Sequence, residues 1–455
     1  MDSVITYIKS NFNSYVEELK EYIRIPSVST TASYKNDVLR CADFVAEKLR
    51  TSGMTHVEIF PTEGYPLVYG EWLGQPGKPT VLIYGHYDVQ PADPLELWTS
   101  DPFEPVIRDG KIWARGSDDN KGQNFIHIKA VEAFFKTKGT LPVNVKFILE
   151  GEEENGSESI TKFIGKNREL LSCDAVLISD TSMYGPGIPT ITYAVRGLLY
   201  MEVEVIGPDK DLHSGSFGGA VANPINELAR IISQLHDKNG KVTIPNFYKK
   251  VQVISKAEKE NFKRLKFSEK KYSKEVGVKE LYGEKGYTTL ERLWTRPTLD
   301  CNGIYGGFTE EGAKTVLPSK AAAKISMRLV PDQNPVQIAK DFIKHIKSLT
   351  PKTIKVNIKN MHHGLAAVVP FGSKALDAAA TAGSKAFCKK TVFTREGGSI
   401  PIVVDFMNNL KAPVVMMGFG LDSDDIHSPN EHFHLENFEK GLYASAYFLD
   451  EFSKL

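Results

Sequence analysis

Hydrophobic residues recur along this chain with two different periods, and these periods predict its elements. Apolar residues at helical spacing predict a helix over about 13–24, which stops before Pro26. A second helix is predicted over about 36–52 and ends at Gly53. From there to about residue 193, short apolar runs alternate with helical segments, the pattern of an α/β fold.

The pattern changes near residue 196. Segment 198–207 alternates apolar and polar residues, as a strand with one exposed face does, and 223–237 has the period of an amphipathic helix. A second alternating segment, 321–331, follows a stretch rich in Lys and Glu over 249–293, which indicates a solvated face. These segments contain no candidate metal ligands and predict an α+β region.

The two patterns together predict a discontinuous chain path. At 455 residues the chain exceeds what one hydrophobic core organises. We expect an α/β catalytic domain with a mixed sheet, made of residues 1–195 and 366–455. An inserted α+β domain is expected over 196–365. The chain must return to the first domain because another candidate ligand follows the apolar run at 414–420.

Apolar runs in the predicted α/β domain lead into residues that bind metals. Ligands of open α/β sheets bind outside the carboxyl ends of the strands, so residues that follow several strands can meet in one crevice. One more candidate lies in the Gly-bounded loop 114–122. The candidates, in chain order, are His86 and Asp88, Asp119, Glu153 and Glu154, Asp180, and His427.

The residue types indicate the metal and the number of ions. Imidazole and carboxylate without thiolate favour zinc, manganese or cobalt over a structural cysteine site. Five ligands, His86, Asp119, Glu154, Asp180 and His427, can give two ions three ligands each only if one carboxylate bridges. Asp119, on a constrained loop, is the expected bridge. A water held by two ions becomes a nucleophile near neutral pH.

Two further carboxylates have expected roles beside these ligands. Asp88 lies two residues from His86, on the same strand face, and is placed to accept the other ring N–H. Glu153, next to Glu154, is the expected general base, which takes a proton from the water and passes it to the leaving nitrogen.

Six motifs in fixed order make the chain resemble a known family. They are HYDVQPA, RGSDDNKG, EGEEENGS, DLHSGSFGG, TREGGSIP and DIHSPNE. The chain resembles the M20 family of di-metal peptidases, most closely the branch of cytosolic nonspecific dipeptidases and carnosinases. The resemblance runs from about Ile25 to the last helix. It implies a dipeptidase with a catalytic domain and an inserted lid domain that also forms a homodimer.

The resemblance also assigns roles residue by residue. It implies one metal held by His86, Asp119 and Asp180 and a second held by Asp119, Glu154 and His427. It implies a cis peptide between Asp119 and Asn120.

In the inserted domain, the resemblance implies that His213 reaches the active site of the partner subunit and helps stabilise the oxyanion. It places His362 at a position that contacts the substrate carboxylate. We expect the pocket around Arg328, Thr315 and His362 to set specificity. Gly398 and Ser399, which follow Gly397, indicate close backbone approach to a substrate.

Each candidate also has a structural interpretation. His86 alone would suit a buried, satisfied histidine, and Glu152, Glu153 and Glu154 a solvated helix start. Asp118 and Asp119 are common turn formers. Asp424 and Asp425 are expected to be loop charges, and His432 and His434 surface or helix-start residues. His363 is expected to be an incidental loop histidine.

Composition agrees with an enzyme of the cytoplasm. Lys plus Arg and Asp plus Glu both number 56, and no basic run stands out, so nucleic acid is not an expected partner. Four widely spaced cysteines indicate free thiols in a reducing compartment. The first 15 residues lack the apolar core of a signal peptide, and no stretch approaches the roughly 18 apolar residues of a membrane span.

Two other classes of function fit the sequence less well. A serine hydrolase needs a nucleophile elbow, and neither GGSIP nor HSGSFGG matches G-x-S-x-G. A non-catalytic binding protein would have lost the base or a ligand, and here all six positions are present. Within the enzyme class, the alternative is an N-acyl-amino-acid deacylase or a carboxypeptidase that uses the same di-metal site.

Overall fold

The computed structural model describes residues 1–370, 372–398 and 400–455 and divides the chain into two compact units. Unit 1 consists of Met1–Tyr193, Val369–Thr394 and Asp405–Leu455. Unit 2 consists of Ala194–Val368 and Arg395–Val404.

The helices are α1 (Asp2–Ile23), α2 (Lys35–Ser52), α3 (Lys121–Lys138), α4 (Glu158–Lys166), α5 (Ser214–Phe217), α6 (Pro224–Ser233), α7 (Lys256–Arg264), α8 (Glu269–Glu275), α9 (Thr289–Trp294), α10 (Pro335–Leu349), α11 (Lys374–Phe387), α12 (Pro401–Leu410) and α13 (Leu435–Phe452).

The strands are β1 (His56–Phe60), β2 (Leu67–Trp72), β3 (Thr80–His86), β4 (Val106–Arg108), β5 (Lys111–Trp113), β6 (Asn144–Glu150), β7 (Ala175–Ile178), β8 (Ser182–Met183), β9 (Thr190–Val195), β10 (Gly197–Ile206), β11 (Leu212–His213), β12 (Thr298–Gly306), β13 (Val316–Leu317), β14 (Lys320–Leu329), β15 (Lys355–Gly364), β16 (Ala367–Val368), β17 (Val392–Glu396), β18 (Val414–Met416), β19 (Gly420–Leu421) and β20 (His432–His434).

Unit 1 is built on a mixed sheet, as predicted. The strand order is β1-β2-β6-β3-β7-β18-β9. β3 pairs in parallel with β6 and β7, and β18 pairs in parallel with β7, whereas β1, β2 and β6 pair antiparallel. All residues of β6 and β7 are buried, which is typical of parallel strands covered on both faces. The four strands expected to present ligands are therefore neighbours that run in the same direction.

The first helix begins earlier than its apolar period over 13–24 indicated. α1 starts at Asp2, because Ile8 and Val4 continue the buried stripe about two and three turns before Val16. The second helix ends as predicted. Gly53 caps α2 with a left-handed φ of 108°.

Unit 2 contains an antiparallel sheet in the order β12-β14-β10-β15, so its α+β class is as predicted. Residues of β10 alternate strictly between buried and partly exposed. The buried face packs against α6 and α10 in one apolar cluster that includes Leu199, Leu228 and Phe342. The Lys/Glu-rich segment forms α7, α8 and α9, and most side chains of α7 and α8 are exposed.

Within the described ranges, no helix has both the length and the apolar character that crossing a membrane requires.

Two glycines that cap neighbouring helices allow a paired test of packing in unit 1. A Cβ on Gly53 would lie 2.5 Å from Cδ2 of Phe135, whereas a Cβ on Gly139, which caps α3 at φ 67°, would meet nothing within 4 Å. We expect Gly139→Ala to lower the free energy of unfolding by about 1 kcal/mol through backbone strain alone. Gly53→Ala should lower it by about 3 kcal/mol, because the ring must also move. Urea unfolding measures both, and equal losses would contradict the predicted clash.

Candidate metal centre

The parallel strands bring the predicted ligands of unit 1 together at their carboxyl ends. β3 ends at His86, which pairs in register with Glu150 at the end of β6. Glu154 follows in a short 3₁₀ turn after β6, and Asp180 lies two residues beyond β7. His427 lies in the loop between β19 and β20, with a left-handed φ of 60°.

Asp119 joins these side chains into two triads, because each of its carboxylate oxygens faces a different histidine. Oδ1 lies 3.1 Å from Nε2 of His86, and Oδ2 lies 2.9 Å from Nε2 of His427. Asp180 completes the first triad, with Oδ1 3.7 Å from Nε2 of His86. Glu154 completes the second, with Oε1 3.3 Å from Nε2 of His427. This is the geometry expected of a shared carboxylate.

The backbone of the loop that presents Asp119 is held by a buried carboxylate that the sequence reasoning missed. Glu431 accepts hydrogen bonds from the backbone N–H groups of Gly116, Asp118 and Asp119 at 3.0 to 3.1 Å. Nη1 of Arg115 also donates to it at 2.7 Å, and both charged side chains are buried. The peptide between Asp119 and Asn120 is cis, as the resemblance implied. Glu431 is the last residue of the DIHSPNE motif and Arg115 is the first residue of RGSDDNKG. Their place in these motifs was the signal that the sequence offered for this pair.

The orientation of His86 differs in one detail from the expectation. Its Nδ1 donates to the backbone carbonyl of Asp88 at 3.0 Å, while the carboxylate Oδ1 of Asp88 lies 3.4 Å away. The carboxylate instead accepts hydrogen bonds from the N–H groups of Glu153 and Glu154, both at 3.1 Å, and from Oγ of Ser29. Asp88 therefore fixes the turn that carries Glu153 and Glu154, and its carbonyl fixes the tautomer of His86.

Two amide side chains, which the sequence reasoning had not given a role, also contact the ligands. Nδ2 of Asn120 donates to Oδ1 of Asp180 at 2.8 Å and to the carbonyl of Ser179 at 2.6 Å. Nε2 of Gln90 donates to Oε2 of Glu154 at 2.7 Å. Such outer contacts orient metal ligands. Because amides also occur widely on surfaces, their residue type alone gave no signal.

The electrostatics of the centre reflect the crowding of carboxylates around two imidazoles. The neighbouring carboxylates of Asp119 and Glu154 raise the pKa of His427 to about 10. Burial works against charge on His86, but Asp180 and Asp119 raise its pKa well above the usual value. Burial works to raise the pKa of Asp119, yet hydrogen bonds to His427 and His86 outweigh it, and that pKa is lowered. The carboxylates of the centre therefore favour the protonated, positively charged form of both histidines.

Glu153 lies beside the triads in a different environment. Burial raises its pKa well above the usual range, and the negative charges of Asp180, Glu154 and Asp119 add to this effect while His86 opposes it. The carboxylate of Glu152 is not directed at the triads, because it accepts hydrogen bonds from the N–H groups of Tyr65 and Ser159.

The donor set meets the requirements of a pair of divalent ions. Each triad offers one imidazole nitrogen and two carboxylate oxygens within 4.8 Å of one another, and the second ring nitrogen of His86 is already engaged. Oε1 of Glu154 is buried and has no hydrogen-bond donor among the described residues, so a cation would satisfy it. These ligands suit zinc or manganese.

Unit 2 holds the other predicted residues. Arg328 lies on β14, and burial lowers its pKa. His362 lies on β15 and stacks on Tyr200, with ring centroids 5.2 Å apart. The carbonyl of Thr315 accepts from the N–H of Ser214 at 3.0 Å, and the carbonyl of Gly398 accepts from the N–H of Arg196 at 3.0 Å. Ser399 lies outside the described residues.

His213 caps a short helix. Its Nδ1 accepts hydrogen bonds from the N–H groups of Gly215 and Ser216, at 3.0 and 3.3 Å, so the ring proton is on Nε2. The side chain is exposed. His213 therefore caps α5 with Nδ1, and Nε2 is left as a donor.

Two expectations about the segment after β19 are wrong. Asp424 is fully buried, not an exposed loop charge, and His432 is 2% exposed and lies in β20. The histidines of an alternating His-Phe-His strand share one face, and here that face is covered by Trp113, whose ring lies 4.2 Å from that of His432. His434 is the N-cap of α13, as a helix-start residue.

The comparison with protein families agrees with this arrangement. The model of peptidase family M20/M25/M40 matches residues 82–451. The chain belongs to this family. The resemblance inferred from the six motifs is therefore confirmed, including the dipeptidase branch.

Relatives that match this M20 chain over nearly its full length include two dipeptidases. The chain is 33% identical to the Cys-Gly metallodipeptidase of Schizosaccharomyces pombe over 100% of this chain and 99% of that protein. It is 32% identical to the human Beta-Ala-His dipeptidase, over 100% and 93% of the two chains.

Solved structures with a similar fold include a dipeptidase and a carboxypeptidase. The crystal structure of human carnosine dipeptidase 1 matches with a TM-score of 0.87 at 31% identity, over 100% of this chain and 99% of that one. An M20 family metallo-carboxypeptidase from Sulfolobus solfataricus matches with a TM-score of 0.87 at 32% identity, over 97% and 99%.

Proposed function

We propose that this M20 protein is a metal-dependent dipeptidase, which hydrolyses the peptide bond of dipeptides or short peptides with a free carboxyl terminus. The observation that carries the proposal is the pair of triads that share Asp119, with Glu153 beside them. The full-length similarity to a Cys-Gly metallodipeptidase and to a Beta-Ala-His dipeptidase supports the substrate class.

Two ions per chain, Zn²⁺ or Mn²⁺, are proposed for this centre. His86, Asp119 and Asp180 would hold one, and Asp119, Glu154 and His427 the other. Bound divalent ions supply Lewis acidity and lower the pKa of a water molecule. Because ligands must lose their protons to bind, the raised pKa values of the two histidines make metal binding release protons at neutral pH.

Glu153 is the proposed general base and acid. The carboxylate of Glu153 can take a proton from the attacking water and deliver it to the leaving nitrogen, and burial, which raises its pKa, increases its affinity for that proton. Asp88 is proposed to support this step, since its carboxylate holds the N–H groups of Glu153 and Glu154.

Unit 2 is proposed to act as a lid and dimerisation domain over 196–365. Arg328, Thr315 and His362 would recognise the terminal carboxylate of the peptide. Gly398 and Ser399 would offer backbone contacts to it. His213, whose proton is on Nε2, is proposed to donate to the oxyanion in the active site of the partner subunit of a homodimer.

A second candidate activity has a specific observation in its favour. The similarity to the metallo-carboxypeptidase of Sulfolobus solfataricus, at 32% identity, supports a carboxypeptidase on the same centre. An N-acyl-amino-acid deacylase would use the same chemistry. Assays of dipeptides, tripeptides and N-acetyl amino acids, with zinc and with manganese, distinguish the three activities.

We also propose that the protein acts in the cytoplasm. The four cysteines are all free, which is typical of a reducing compartment.

Metal analysis of variants tests the two triads separately. The two triads of the wild-type chain should together hold about two ions, and a chelator should abolish activity until Zn²⁺ or Mn²⁺ is restored. Asp180→Ala removes a ligand of the first triad and His427→Ala a ligand of the second, so each should retain about one ion fewer. Asp119→Ala should impair both sites. Full activity in protein free of metal would contradict the proposal.

Glu153→Gln separates binding from chemistry, since it keeps the shape of the side chain and removes its basicity. We expect metal content to be unchanged while kcat falls by about a hundredfold or more, because positioned proton transfer contributes 10²–10⁴. Glu158→Gln, an exposed change on α4, is the control and should retain wild-type kcat. A near-normal kcat for Glu153→Gln at saturating metal would show that another group is the base.

His213 is tested by mixing two inactive proteins. His213→Ala should bind metal normally, yet lose about 10²–10³ in rate, the usual cost of one oxyanion donor. When its subunits exchange with those of Glu153→Gln, half the dimers should be mixed, with one working site of two. Activity should then return to about a quarter of wild type. Demonstrated exchange without recovered activity would show that His213 does not act across the dimer.

A further inference from the structure

A second cluster of metal-binding side chains lies in unit 1, apart from the two triads. It consists of Asp424, His432 and His434, whose ligand atoms lie within 4.8 Å of one another. Asp424 follows β19, His432 begins β20 and His434 caps α13. None of the three belongs to the proposed di-metal centre.

The oxygen of Asp424 that faces the histidines is buried and unpartnered. Asp424 is fully buried, and its Oδ2 accepts from the N–H of Leu421 at 2.9 Å. Oδ1 lies 3.5 Å from Nε2 of His432 and 3.5 Å from Nε2 of His434, too far for a hydrogen bond. The carboxyl of Asp118, whose pKa burial raises well above its usual value, contacts Asp424. No other donor of the described residues reaches Oδ1. A buried carboxylate oxygen in this position needs a cation or a proton.

The distances match those around a single ion. Ligands about 2.1 Å from a tetrahedral zinc ion lie about 3.4 Å from each other. Both oxygen-to-nitrogen separations are 3.5 Å, close to this value, and the three ligand atoms all lie within 4.8 Å of one another.

One of the histidines is already held in the required tautomer. Nδ1 of His432 donates to the carbonyl of Asn430 at 3.0 Å, which leaves the lone pair on Nε2. Metal-binding histidines usually donate their other N–H to a carbonyl or carboxylate in this way. Trp113, which pairs with His432 across the strands, covers the ring.

The ammonium group of Lys111 lies beside this cluster, which shows that the cluster attracts a positive charge. Nζ of Lys111 lies 2.9 Å from Nε2 of His432, but among the described residues no ion pair within 4.0 Å joins it to Asp424. Lys111 is partly exposed and has a flexible stem, so it can withdraw to solvent. An ion bound by all three ligands would replace one lysine hydrogen bond.

We propose that Asp424, His432 and His434 form an additional site for a divalent transition-metal ion such as Zn²⁺. The three ligands leave a position for water. The segment between Asp424 and His432 carries His427, and the N–H of His432 already donates to the carbonyl of Asp424 at 3.0 Å. The ion closes this segment at its base and thereby stabilises the loop of His427. The proposal does not depend on the proposed peptidase activity.

Zinc content of matched variants tests the site. Full-length protein is saturated with Zn²⁺, passed through a desalting column, analysed for zinc, and titrated by calorimetry. His434→Gln should hold about one zinc ion fewer than wild type, or bind it about tenfold or more weakly, because one of three ligands is lost. His434→Cys, which supplies a thiolate, should restore the ion. His345→Gln is the control, since the hydroxyl of Thr243, at 3.1 Å, is the only hydrogen-bond partner of the His345 ring among the described residues.

Lys111→Met removes the competing ammonium and should bind the additional ion at least as tightly as wild type. In His427→Ala the ion of this site should remain, so failure of the di-metal centre would not be mistaken for failure here. Thermal unfolding should shift upward with Zn²⁺ in wild type more than in His434→Gln. Equal zinc content and affinity in wild type and His434→Gln would overturn the proposal. Binding that occurs only in Lys111→Met would also overturn it, because the lysine would then be the resident cation.

Discussion

The centre of unit 1 depends on one carboxylate that is shared between two imidazoles. Asp119 faces His86 with one oxygen and His427 with the other, and these two histidines are separated by 341 positions in the numbering of the chain (427 minus 86). The arrangement requires the loop of Asp119 to stay fixed. Buried Glu431 supplies that restraint by accepting three backbone N–H groups of the loop, and Arg115 balances its charge.

Several buried carboxylates close together cost free energy of folding unless positive charge compensates them. The same carboxylates that raise the pKa values of the two histidines also suit divalent ions, because both forms of compensation are cationic. Burial raises the pKa of Glu153 well above its usual range and also raises that of Glu154, but in Glu154 the contact with His427 opposes this shift. The proposed division between ligands and base thus follows from differences in hydrogen bonding among neighbouring carboxylates.

The loop of His427 is restrained at both ends by residues with no part in the proposed reaction. Glu431 ties its second half to the loop of Asp119, and Asp424 lies buried at its start beside His432. The proposed additional ion and the hydrogen bonds of Glu431 act on the same segment, so the position of His427 relative to Asp119 is the quantity that both would stabilise.

The sequence by itself determined the mixed α/β plan, the inserted α+β region, the family and the residues that meet at the strand ends. It did so because apolar period and residue type are local properties of the chain, and because six motifs in fixed order carry the family resemblance. It did not determine the start of α1, the roles of Glu431 and Asn120, or the burial of Asp424 and His432. Those depend on which distant backbone groups need a partner and which face of β20 is covered by Trp113, and only the tertiary structure brings these groups together.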